Sequence, residues 1–147
     1  MDARQAYLTG VDLNNRRHSS TESLPYFRRA LRLRPDLWQV HCDYAAALIN
    51  SVSEARPGIG APRSVTRSSW ERVAMIREGL SELDHAERLA ATPPDRAYVI
   101  ALRAQTFAIW GLSWEGLLEY GRAQRLDPES SVLRRRREQL RQIMLAP

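Results

Sequence analysis

Lysine is absent from this chain: all 22 basic residues are arginine. A bias towards GC-rich codons would produce the same result, so arginine content alone identifies no ligand. One cysteine, Cys42, excludes an internal disulfide. No apolar stretch approaches the roughly 20 residues that a membrane-spanning helix requires, so no span is expected. Glycine and proline are too few for a fibrous or linker-dominated protein. The opening segment, MDARQAYLTG, lacks the basic-then-apolar order of a signal peptide, which points to a cytoplasmic protein. Its abrupt helical start also fits a fragment of a longer chain.

The residues of catalysis are scarce as well. GIGAP at 58–62 follows no strand and so fails the context a dinucleotide-binding loop needs. His41 and Cys42 are adjacent and diverge around a helix, while His18 and His85 fall in other segments. This is neither zinc-ligand spacing nor a local Cys–His pair for nucleophilic chemistry. Glu78, Glu82 and Asp84 lie among Arg72, Arg77 and Arg88, a pattern of solvated ion pairs rather than an acid–base couple. No metal, no cofactor and no enzymatic activity is expected.

What is present is helix. A chain of 147 residues, 44% hydrophobic and 27% charged, is one ordinary globular domain rather than a disordered segment. Apolar residues recur at helical spacing over Ala3–Asn15, from Ser20 or Thr21 to Leu33, Asp36–Ile49 and Trp70–Ala91, from Asp95 to the break at Gly111, over Ser113–Leu126 and over Glu129–Leu145. Pro35, Pro93, Pro94 and Pro128 read as terminators. Residues 51–68 keep no period and carry Pro57, Gly58, Gly60 and Pro62, so they read as a long loop. The sum is seven helices and no strand.

Two segments about ninety residues apart match. SLPYFRRALRLRPD, Ser23–Asp36, and GLLEYGRAQRLDPE, Gly116–Glu129, each carry an aromatic, then Ala three positions on, then Leu and Pro. A unit from Ala97 to Ser130 places Ala104, Phe107, Gly111, Gly116, Tyr120, Ala123 and Pro128 at regular offsets. Gly10, Asn14, Ser23, Phe27, Ala30 and Pro35 repeat most of that pattern, with one extra residue in the turn. In these residues the chain resembles the tetratricopeptide family, whose unit is a helical hairpin of about 34 residues.

The resemblance implies an all-α fold of antiparallel hairpins stacked as a short right-handed superhelix. Its units would be residues 3–35, 36–94 with the loop 51–68 inside, and 95–128, followed by a capping helix at 129–145. In that cap Leu133, Leu140 and Ile143 would cover the last hairpin, and Arg134 to Arg137 would face mostly outward. It also implies a non-catalytic module that binds a peptide or helix in a groove lined by the first helix of each unit. Transferred unit by unit, the groove positions are Arg4, Tyr7 and Asn14, then Gln39, Cys42 and Ala46, then Tyr98, Ala101 and Gln105.

Two other readings stand beside this one. The chain could serve as the recognition or dimerisation module of a larger enzyme or regulator. Alternatively, Arg28, Arg29, Arg32 and Arg34, with Arg134 to Arg137 and Arg141, could meet an anionic surface or nucleic acid. Aromatic residues do not interleave with these arginines, which weighs against nucleic acid. Trp110 and Trp114 flank the turn at Gly111 and read as packing against the cap, with a partner anchor as the alternative.

Overall fold

A computed structural model describes residues 1–16, 19–53 and 68–147. Among these residues the chain is all-α, with seven helices and no strand. They are α1 (Ala3–Arg16), α2 (Ser20–Leu33), α3 (Trp38–Ser53), α4 (Ser69–Leu89), α5 (Pro93–Ile109), α6 (Ser113–Leu126) and α7 (Ser131–Leu145). Most helices adjacent in sequence pack as pairs: α1 with α2, α2 with α3, α5 with α6, and α6 with α7. Residues 54–67 of the expected loop, and His18, lie outside the described residues.

Contacts divide the chain into two compact units, Met1–His85 and Ala86–Pro147. In the first, α1 and α2 run antiparallel. The Asn14 Oδ1 accepts from Ser20 Oγ at 2.8 Å at one end, and Arg29 donates to the Met1 carbonyl at 2.8 and 3.0 Å at the other. The core between them and α3 holds Ala6, Leu24, Phe27, Ala30, Val40, Tyr44, Ala47 and Leu48. Phe27 is fully buried, and its ring lies where a Cβ on Gly10 would come within 3.0 Å. Burying one such side chain stabilises by about 1.5–3 kcal/mol.

The second unit repeats this construction. Gly116 of α6 meets the Ala104 carbonyl of α5, and a Cβ there would lie only 3.0 Å from that oxygen. Ala97, Ile100, Ala101, Ala104, Tyr120, Ala123, Leu133 and Leu140 form its core. The α5–α6 turn is closed by Gly111 at φ 80°, a left-handed conformation that glycine adopts without a Cβ penalty. Leu112 N–H then reaches back to the Phe107 carbonyl at 2.8 Å, satisfying one of the free carbonyls of the helix end.

The matched segments have matching geometry. Ser23, Phe27 and Ala30 are buried in α2, as are Gly116, Tyr120 and Ala123 in α6. The residue after α2, Arg34, has φ −140° and ψ 79° and donates its N–H to Ala30. The residue after α6, Asp127, has φ −136° and ψ 73° and donates to Ala123. Each precedes a proline, which excludes the helical conformation for the residue before it. The same sequence therefore stops both helices in the same way.

Several expected boundaries move. Pro93 and Pro94 open α5 rather than only closing α4, and Thr92 caps it by accepting from Asp95 N–H at 3.2 Å. Proline suits a first helical turn because the N–H it lacks would have had no helical acceptor. Helix α3 extends to Ser53, past the expected end at Ile49, and Ser51 is buried with its hydroxyl on the Leu48 carbonyl at 2.8 Å. Helix α4 is capped by Ser68 rather than Ser69.

Glu78, which is exposed, and Glu82, which is half-buried, meet α3 side chains rather than arginines. Glu78 accepts from the Tyr44 hydroxyl and Glu82 meets His41, both on α3. On α7, Leu133 and Leu140 are buried as expected, but Ile143 is 70% exposed and Met144 packs in its place. Trp114 does not pack against the cap: it is 69% exposed.

Candidate functional site

The groove positions are taken unit by unit. On α1, Arg4 is exposed, Tyr7 is half-buried, and Asn14 is half-buried against Ser20. The Tyr7 ring tilts onto Phe27, 6.2 Å between centroids, and its hydroxyl donates to Asp43 Oδ2 of α3 at 2.6 Å. This contact joins α1 to α3. Burial pushes the Asp43 carboxyl above its ordinary range, against the downward pull of the Tyr7 hydrogen bond.

Gln39 is exposed on α3 and Ala46 is half-buried. Cys42 is only 1% exposed, and burial, reinforced by Asp43, pushes its thiol up to about 12. As folded, it presents nothing to a ligand. The structure thus brings Tyr7 close to α3 but leaves Cys42 inside the unit.

The second unit holds the clearer concavity. A cleft of about 360 Å³ opens between α5 and α7. Pro94, Ala97, Tyr98, Ala101 and Leu102 form one wall, while Val132, Leu133 and Arg136 form the other. Asp127 and Ser130 lie at the turn that joins α6 to α7. Ligand clefts commonly span roughly 300–1,000 Å³, so this one is at the small end.

Tyr98 and Ala101, both expected groove residues, line this cleft, and Tyr98 is 53% exposed. Gln105 lies farther along the same helix and accepts from Arg136 Nη1 at 3.2 Å. Arg136 is exposed like its neighbours, as expected, but it also lines the cleft, a role the sequence reading did not give it. Burial raises the pKa of the Tyr120 phenol, and the charge of Arg136 partly draws it back. The missed signal is helical spacing. Arg136 falls three residues after buried Leu133 and four before buried Leu140, so it borders the face of α7 that those two bury.

Several arginines of the two basic runs are engaged within the fold. Arg28 donates to the Tyr44 hydroxyl at 2.7 Å, Arg29 to the Met1 carbonyl, and Arg34 pairs with Asp36 at 2.8 Å. Arg137 donates to Gln124 at 3.1 Å and Arg141 pairs with Glu138 at 3.1 Å.

In chemical terms the cleft is an apolar trough with one guanidinium, one phenol and, at the turn, one carboxylate. Comparisons with family models, with curated proteins and with solved structures find no match to this chain.

Proposed function

We propose that this chain is a tetratricopeptide-like interaction module, and that the α5–α7 cleft receives an apolar peptide segment bearing a carboxylate. The observation that carries the reading is Arg136 beside exposed Tyr98 in a mostly apolar cleft, with Asp127 and Ser130 set apart at its turn. Apolar side chains of the peptide fill the trough, and the guanidinium fixes its register by charge-assisted hydrogen bonds. The matched helix ends after α2 and α6 support the repeat assignment.

The test is a displayed peptide library panned on the whole chain, followed by fluorescence anisotropy of the enriched peptides. Binders should be apolar with an acidic residue. Arg136→Ala and Tyr98→Ala should each weaken them by about tenfold, on the scale of a well-placed interface residue. Enriched peptides indifferent to both substitutions would overturn the assignment.

A second reading, dimerisation, rests on a different face of the second unit. Trp114 and Leu118 are 69% and 71% exposed and lie one turn apart on α6, and Ile109 is 66% exposed. Such a stripe is the kind of surface that subunit contacts cover. Sedimentation velocity across a concentration series, with Trp114→Ser as the comparison, separates a dimer from a monomer.

A further inference from the structure

Away from the cleft, the crossing of α3 and α4 in the first unit gathers side chains that are far apart in sequence. His41 of α3 is 7% exposed. Its Nε2 lies 2.8 Å from the Pro35 carbonyl oxygen. A carbonyl can only accept, so Nε2 carries a proton and donates it. The other ring nitrogen, Nδ1, faces Glu82 Oε2. One turn along α4, His85 places its Nδ1 3.9 Å from the same carboxylate oxygen. The two imidazole rings meet edge-on at 5.6 Å. One ligand atom from each of the three residues falls within 4.8 Å of the other two.

This arrangement poses an electrostatic question. With Nε2 holding its proton, Nδ1 of a neutral ring is a lone pair aimed at a carboxylate oxygen. Two electron-rich atoms cannot sit together in a half-buried site without a positive charge between them. A proton meets that need for His41 and Glu82 alone. A metal ion meets it for all three groups.

We propose that His41 Nδ1, a Glu82 carboxylate oxygen and His85 form a binding site for a divalent transition ion of the zinc class. Two imidazoles and one carboxylate suit zinc, cobalt or nickel better than magnesium or calcium, which favour all-oxygen shells. In a tetrahedral zinc site, with bonds of about 2.0–2.1 Å, neighbouring donor atoms stand about 3.3 Å apart. The Glu82–His85 separation of 3.9 Å is close to that value. The His41–Glu82 contact opens slightly to admit the ion. The Pro35 carbonyl orients the His41 ring through its far nitrogen, as outer hydrogen-bond acceptors do for metal-bound histidines. The His85 side chain is 46% exposed, so the fourth position opens to water. Bound there, the ion would tie α3 to α4 and stabilise the first unit by mass action.

The test uses the whole chain, stripped with chelator and titrated calorimetrically with zinc chloride and, in parallel, optically with cobalt chloride. One equivalent should bind, cobalt should show the intense visible bands of tetrahedral coordination, and zinc but not magnesium should raise the thermal midpoint. His85→Asn changes a side chain that is not part of the core and should lower zinc affinity by about tenfold or more, a loss at least as large as that from disturbing an outer hydrogen bond. Glu82→Gln should act the same way, and His18→Asn should leave binding unchanged. His41→Asn should abolish binding. Should that variant fail to fold, His85→Asn decides the matter. No saturable uptake of either ion, or wild-type affinity in His85→Asn, would reduce the cluster to a plain His41–Glu82 pair and overturn the proposal.

Discussion

Gly116 of α6 stands so close to the Ala104 carbonyl of α5 that a single added methyl group would lie 3.0 Å from the oxygen and 3.2 Å from Leu140. Alanine is the better helix former, yet Gly116→Ala should destabilise the fold by about 1–3 kcal/mol, because the crossing has no room. Gly121, five residues on, makes the control. Its added Cβ would sit 3.6 Å from Arg137, an ordinary contact, so Gly121→Ala should stabilise by about 0.5–1 kcal/mol. Urea unfolding of both variants checks the pair of signs.

Arg103 of α5 is 8% exposed and meets Glu87 of α4 at 3.0 Å and Glu119 of α6 at 3.1 Å. Arg122 closes the network on both carboxylates. Replacing Arg103 with Met strands two half-buried carboxylates around one surface arginine. The expected cost is about 3 kcal/mol, the scale for breaking a buried pair from one side. Adding Glu87→Gln and Glu119→Gln to that variant should recover part of the loss, which denaturant midpoints would show.

Tyr44 is held by burial first, and then by its hydrogen bond to Glu78, with its pKa pushed up to about 12. A phenol ordinarily ionises near 10. The unfolded chain therefore releases this proton first, so stability is lost as the pH rises from about 10 towards the folded value. An absorbance titration at the phenolate band should show Tyr44 and Tyr120 lagging behind the exposed tyrosines, and Tyr44→Phe should remove the Tyr44 share of the late signal. A Tyr44 phenol that titrates with the exposed ones would contradict its burial first, and its bond to Glu78 second.

Phe27 and Ile143 are both large and apolar, but their surroundings differ completely. Phe27 is fully buried between α1 and α2, whereas Ile143 is 70% exposed on α7. Truncation to alanine should cost about 3–5 kcal/mol at Phe27 and no more than about 0.5 kcal/mol at Ile143. Thermal melts of the two variants are sufficient to distinguish them.

The helical architecture was legible because punctuation and periodicity agree. Helix α6 begins and ends where Ser113 and Pro128 predict, since Gly111 leaves one helix and proline forbids continuing the next. Pro93 and Pro94 were misread because proline has two meanings at a helix end, and Thr92 decides between them by capping forward. The exposed face of α7 deceived for a different reason. Leu140 and Ile143 share helical spacing, and only tertiary packing determines which of them faces the last hairpin.

The site was less legible. The repeat offsets placed Tyr98 and Ala101 in a groove of first helices, and the structure sets both in the cleft between α5 and α7. Arg136 was hidden in a run of four arginines, where composition suggests a solvated face. The His41, Glu82 and His85 cluster joins α4 residues to one 41 and 44 positions earlier in the sequence. Its one local trace is Glu82 followed three residues later by His85 on a single helix. That spacing puts both on one face, but it has meaning only when a third ligand is known to face them.

The lone thiol offers one more use. Because Cys42 is sealed inside the first unit and reluctant to ionise, an alkylating reagent reaches it only in molecules whose α3 has opened. The rate of labelling under native conditions therefore counts rare excursions of the first unit, much as amide exchange would. The chain carries its own stopwatch for local unfolding, and no engineered probe has to be installed to read it.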